Sequence, residues 1–156
     1  MISIQRHGQE PLGIEFILLD FEGTLAVDRR VHPKAKDKIN LLSKRTKIYI
    51  LIKEEKESAA EALRKVKAEI IEFKEAKASE EKLLLLRQLG SAKTVAIGNG
   101  ADDAAMIEEA GLGICVISKE GAAGGAVQKA DLVVFDIVDA LDFLLKPLRQ
   151  KATLSK

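Results

Sequence analysis

The sequence predicts an α/β protein, a mostly parallel β-sheet covered on both faces by helices. Three observations lead there. Short apolar runs alternate with longer, charge-mixed segments along nearly the whole chain, as βαβ units do. The run Phe16-Ile17-Leu18-Leu19 is continuous rather than alternating, which suits a strand buried on both faces of a parallel sheet. It leads directly into Asp20-Phe21-Glu22-Gly23-Thr24. Acids and a glycine turn therefore sit at the strand's carboxyl end, where open α/β sheets bind ligands.

The elements follow in order. Met1 to Gln5 alternate apolar and polar, and His7-Gly8-Gln9-Glu10-Pro11 reads as a turn, so residues 1–13 predict an N-terminal hairpin feeding the strand that ends at Asp20. After Leu25 comes a polar connection. A helix over 33–42 then has proline in its first turn. Residues 47–52 are the second core strand. Residues 54–67, rich in Ala, Glu, Lys and Leu, predict a solvent-facing helix, and 69–73 a short third strand. A helix beginning at Ser79 stops at Gly90. Thr94 to Ile97 form a fourth strand, ending in Gly98-Asn99-Gly100-Ala101-Asp102-Asp103. Helices at 104–110, 122–129 and 138–145 alternate with strands at 113–117 and 132–135. Residues 148–156 read as a polar tail. No linker or internal repeat divides the chain, so residues 1–156 are expected to form a single domain.

Composition excludes several function classes. In 156 residues, 47% are hydrophobic and 31% charged, and the net charge is +1, so nothing favours nucleic acid or an anionic membrane electrostatically. Aromatics are 4% of the chain and Trp is absent, which argues against a base-stacking surface. The single Cys115 lies in an apolar strand and reads as a small buried hydrophobe. One cysteine allows no intrachain disulfide, which fits a reducing compartment. With no signal-peptide core and no apolar run of membrane-spanning length, the expectation is a soluble, cytoplasmic protein.

Chemistry concentrates in two acidic clusters after two predicted strands: Asp20 with Glu22, and Asp102 with Asp103. Parallel strands end on one edge, so the clusters can converge. Several carboxylate and amide oxygens at one point suit a hard cation such as Mg²⁺. Mg²⁺ beside a carboxylate nucleophile is a route to phosphoryl transfer through an aspartyl-phosphate. The Gly98-Asn99-Gly100 loop is not a dinucleotide fingerprint, because Asp103 stands at the third glycine position. His7 and His32 lie in loops and read as surface residues, as do Arg29 and Arg30.

Together these residues resemble the haloacid dehalogenase superfamily, and within it the small soluble proteins related to the P-type ATPase phosphorylation domain. Its first motif, an apolar strand followed by Asp-x-Asp-Gly-Thr, is matched by Leu19-Asp20-Phe21-Glu22-Gly23-Thr24. Its fourth, Gly-Asp-Gly-x-x-Asp, is matched by Gly98-Asn99-Gly100-Ala101-Asp102-Asp103. Between them the family has a lysine seven residues before the leucine ending a helix, and Lys82 with Leu89 fits. The resemblance implies a three-layer Rossmannoid sandwich without a sizeable cap. Asp20 would be the nucleophile and Glu22 the acid and base. Lys82 would hold nucleophile and phosphoryl group by charge. Gly23, Thr24, Lys82 and Asn99 would bind phosphate, and Asp20, Glu22 (through backbone carbonyl), Asn99 and Asp103 would bind Mg²⁺.

Three departures stand out. Glu22 replaces an Asp, Asn99 replaces a metal-ligating Asp, and the Ser or Thr ending the family's second core strand aligns with Ile52. Two readings stay open. One is a Mg²⁺-dependent phosphatase or phosphotransferase acting on a phosphorylated small molecule or a macromolecular phosphate. The other is a catalytically weakened relative serving as a binding or regulatory module. A capless site also implies a large substrate, or a lid lent by a neighbouring subunit of a homo-oligomer. The Asp-x-Glu-Gly-Thr context argues against a receiver-type phospho-acceptor.

Overall fold

Residues 1–155 are described by a computed structural model. Strands β1 (Ile2–Ile4) and β2 (Leu12–Ile14) pair antiparallel as the N-terminal hairpin. Strand β3 (Phe16–Asp20) follows, buried from Ile17 to Asp20. A two-residue-per-strand hairpin follows, β4 (Ala26–Val27) paired antiparallel with β5 (Arg30–Val31). Its turn residues Asp28 and Arg29 both take positive φ, 51° and 64°, the twist that tight hairpins need. Helix α1 (Pro33–Leu42) opens with proline, and His32 Nδ1 caps it by accepting from the Lys34 amide. Then come β6 (Lys47–Ile52), α2 (Lys56–Ala59), β7 (Glu69–Glu72) and α3 (Ala78–Leu89). Gly90, at φ 109°, ends α3. The second half runs β8 (Thr94–Gly98), α4 (Ala104–Glu109), β9 (Leu112–Val116), α5 (Gly124–Lys129), β10 (Leu132–Val134), α6 (Ile137–Leu145) and α7 (Pro147–Leu154).

Six strands form one parallel sheet in the order β10-β9-β8-β3-β6-β7. From β3 the chain builds outward through β6 and β7, then returns to add β8, β9 and β10 on the other side. The strand order reverses beside β3, and a crevice at the carboxyl ends is the geometric result. Helices cover both faces, so the architecture is the three-layer α/β sandwich that the sequence predicts.

Strand alternation sorts side chains between the layers. Ile17, Leu19, Ile48, Ile50, Ile52, Val95 and Ile97 pack on one face with Ala35 and Ile39 of α1 and Leu141 and Leu144 of α6. Leu18, Tyr49, Leu51 and Ala96 pack on the other with Ala78 and Leu86 of α3 and Met106 of α4. Cys115 is buried against Ile107 and Ala126, and burial pushes its thiol pKa up. Among the described residues no helix is long and apolar enough to cross a membrane.

Two expectations are corrected. Residues 54–67 form one helical turn, α2, followed by non-helical turns. Only Ala59 and Leu63 of this stretch are buried, too few anchors to hold a long amphipathic helix, whose stability comes mainly from packing. Asn40 captures the chain instead: it donates to the Lys65 carbonyl at 2.8 Å and accepts from the Lys67 amide at 2.7 Å, with Lys65 at φ 66°. At the other end, residues read as a polar tail form helix α7. Proline opens it, and the fully buried Gln150 fixes it by accepting from the Gln5 amide and donating to the Phe143 and Leu144 carbonyls.

Candidate active site

Asp20 ends β3 beside Leu51 of β6, and alternation puts it on the face of Leu18. Helix α3 packs on that face with Ala78, Lys82 and Leu86, spaced four apart, turned inward; that spacing lines up one helical stripe. Lys82 is thus driven under the carboxyl edge of the sheet. It is fully buried, and its Nζ donates to Asp20 Oδ1 at 3.0 Å, Asp102 Oδ2 at 3.1 Å and Asp103 Oδ1 at 2.8 Å. A buried ammonium is tolerated only with such compensation. Burial alone lowers its pKa, but the charges of Asp20 and Asp103 outweigh this and hold Lys82 protonated.

The loop after β8 is braced by its own acid. Asp103 Oδ2 accepts from the Asn99 and Gly100 amides at 3.1 and 3.0 Å. Gly98 permits this contact, since a Cβ there would lie 2.4 Å from Asp103 Cγ. Thr24 is buried and donates to Asn99 Oδ1 at 3.0 Å, with Asp20 Oδ2 a second acceptor at 3.3 Å. Asn99 Nδ2 donates to the Gly121 carbonyl at 3.3 Å. Gly23 has φ 78°, and a Cβ on it would meet Asn99 Nδ2 at 2.5 Å, so only glycine lets the two loops close. Asp20, Gly23, Thr24, Lys82, Asn99 and Asp103 are therefore brought together. Ser118 joins them by donating to the Gly23 carbonyl at 2.8 Å; nothing in its sequence context marks it.

Glu22 is nearby but turned aside. Its Oε1 accepts from the Lys53 amide at 3.0 Å, while Oε2 is buried without a partner. Ile52, aligned above with the hydroxyl-bearing position that ends the second core strand, is corrected. It is fully buried in the α1/α6 layer, opposite Asp20. The residue on the Asp20 face is the next one, Lys53, whose Nζ lies 3.2 Å from Asp102 Oδ2. Asp102, grouped with Asp103 in the sequence but given no role, holds both lysines. Period-two counting from Leu51, once its register with Asp20 is known, identifies Lys53.

Three carboxylates, those of Asp20, Asp102 and Asp103, thus share two ammonium groups, Lys53 and Lys82, and a fourth, Glu22, is held beside them by the Lys53 backbone amide. Burial and then the charge of Asp103 push the Asp20 pKa well above the ordinary carboxylate value. For Asp102 burial acts upward, but Lys82 and Lys53 outweigh it and the net shift is down. The cluster is short of positive charge, its donors are all oxygen, and Glu22 Oε2 is an orphan. That composition fits a hard divalent cation, although among the described residues the acids are gathered on Lys82 and no three of them surround a common metal position. An open groove of about 1100 Å³ adjoins the cluster, lined by Thr24, Leu25, Arg30, Ser118, Phe135 and Ile137 among others.

No protein-family model matches the chain. Over 61 residues, 39% of its length, it is 52% identical to an uncharacterized protein of Methanocaldococcus jannaschii, and the match spans 66% of that protein, just under two thirds. Solved structures match over nearly the whole chain. One is 3-deoxy-D-manno-octulosonate 8-phosphate phosphatase from Moraxella catarrhalis, in complex with magnesium, phosphate and its sugar acid: TM-score 0.69, 14% identity, 90% of this chain and 89% of that one. The cobalt-bound phosphatase of the same kind from Haemophilus influenzae gives TM-score 0.68 at 15% identity, covering 91% of each chain. A HAD-superfamily phosphatase from Bacteroides thetaiotaomicron gives 0.62 at 13%, covering 89% and 97%. At these identities the likeness establishes the fold.

Proposed function

From the premise of a haloacid dehalogenase-type fold, we propose that the chain is a divalent-metal-dependent phosphatase working through an aspartyl-phosphate on Asp20. One observation carries the reading: a buried carboxylate at the carboxyl end of the central strand, 3.0 Å from the ammonium of a buried lysine, beside the crevice where the strand order reverses. An Oδ of Asp20 attacks phosphorus, and the bond to the leaving oxygen breaks. The Glu22 carboxyl, held aside by the Lys53 amide in the resting chain, swings from that contact to give its proton to that oxygen. It then takes one from the water that attacks the phosphoenzyme, releasing inorganic phosphate and free Asp20. Lys82 aligns the nucleophile and favours its charged form. Gly23, Thr24 and Asn99 line the phosphoryl position.

Asp20, Asn99, Asp103 and the Glu22 backbone are the residues that would hold the cation, Mg²⁺ in this reading. Held there, such a cation would supply Lewis-acid neutralisation of charge on the phosphoryl group and on Asp20. The substrate is a phosphorylated small molecule whose leaving group lies in the groove beside Thr24 and Ser118. The motifs further align the chain with the soluble P-type ATPase-like branch.

A weakened binding module is the second reading, favoured by the engagement of both ends of the Asn99 amide with Thr24 and Gly121. Hydrolysis of an aryl phosphate with and without Mg²⁺, run beside Asp20→Asn, separates the two. The enzyme reading expects Mg²⁺-dependent turnover that disappears in the variant. Turnover retained in Asp20→Asn removes Asp20 as the nucleophile.

A further inference from the structure

Lys82 is fully committed. An ammonium has three hydrogens, and those of Lys82 go to Asp20, Asp102 and Asp103. An incoming phosphoryl dianion finds no free donor there unless the arrangement that holds the nucleophile is broken. Lys53 is differently placed. It follows β6 directly, and alternation puts its side chain on the face of Asp20, two residues beyond Leu51. Its ammonium lies 3.2 Å from Asp102 Oδ2, the same oxygen that accepts from Lys82. Among the described residues it has no other ion-pair partner. Its side chain is 28% exposed, so it stands where the buried cluster opens to solvent. Its backbone amide meanwhile holds Glu22, tying the position to the acid–base residue as well.

We propose that Lys53 is the phosphoryl-gripping cation of this site, while Lys82 orders the nucleophile and its neighbouring acids. In the resting chain Lys53 is parked on Asp102. With substrate, its free hydrogens take non-bridging phosphoryl oxygens, and Asp102 keeps Lys82. A rotatable four-carbon stem makes this short transfer feasible. The inference rests on the phosphatase reading for its substrate but predicts phosphate binding on its own.

The test titrates inorganic phosphate into the wild-type chain and into Lys53→Ala, Lys53→Arg and Asp20→Asn by calorimetry, with and without Mg²⁺, and assays all four on an aryl phosphate. Lys53→Ala should weaken phosphate binding about tenfold or more, the scale of one charge-assisted hydrogen bond. KM should rise in step, kcat should change less, and Lys53→Arg should recover most of the loss. Equal phosphate affinity in wild type and Lys53→Ala overturns the inference, and leaves the phosphatase reading intact if Asp20→Asn is dead. A Lys53→Arg variant as weak as Lys53→Ala marks a packing role and also overturns it. A wild type that binds no phosphate under either condition does the same. Lys53-dependent phosphate binding with no turnover, or with turnover surviving in Asp20→Asn, upholds Lys53 and rejects the proposed mechanism instead.

Discussion

Replacing Lys82 with methionine tests the charge cluster directly. Methionine retains most of the apolar stem, so little packing is lost and the perturbation is electrostatic. Three carboxylates then lose their shared cation; Asp103 is fully buried and Asp20 nearly so. Lys53 contacts only Asp102 and cannot replace it. Leaving buried charge uncompensated costs about 3–5 kcal/mol, a large share of the roughly 5–15 kcal/mol that holds a domain together. For a chain of this size that corresponds to a fall in melting temperature of about 6–20 °C.

The pH dependence has a definite sign. Burial and the Asp103 charge already hold Asp20 well above the ordinary carboxylate range while Lys82 pulls it down, so losing the ammonium raises Asp20 further above the unfolded value of about 3.9, and folding of the variant takes up protons. Stability of the variant should therefore fall as pH rises from about 4 toward neutrality, and the gap to wild type should close below about pH 4. Urea and thermal unfolding followed by circular dichroism from pH 4 to 8, without divalent ions, read this out. A loss under about 1 kcal/mol, the range of exposed pairs, with no pH dependence would refute a desolvated cluster organised by Lys82.

Two further substitutions test the side-chain placements. Ile52→Thr should lower stability by about 1–3 kcal/mol through a hydroxyl buried in the apolar α1/α6 layer, while turnover per folded molecule stays at the wild-type level; a gain in turnover would mean that position 52 reaches the site after all. Gln150→Ala removes the groups joining Gln5, Phe143 and Leu144. It should cost about 1–3 kcal/mol and speed amide hydrogen exchange selectively in α7 and at Gln5; unchanged protection there would show that α7 is held by something else.

The sequence by itself determined the βαβ order, the buried central strand and the identity of Asp20, Lys82 and Asp103 as a group. These are legible because hydrophobic runs, glycine stops and motif spacing are local properties, and parallel strands bring their carboxyl ends to one edge wherever they lie in the chain. Other features depended on partners far away in sequence. Residues 54–67 have the composition of a helix, yet Asn40 holds their backbone in turns. Residues 148–156 look like a tail, yet Gln150 finds carbonyls on α6 and an amide beside β1.

At the site, Ile52 and Lys53 are adjacent, and one residue's difference decides which face of the sheet each meets. Only the register of β6 against β3, with Leu51 beside Asp20, sends Ile52 into the core and Lys53 toward the acids. Asp102 became a second anchor because α3 delivers Lys82 within reach of all three aspartates. The sequence named the charges. Tertiary packing decided which of them touch, because a side chain's face and its distance to a partner are set by pairings that no local stretch contains.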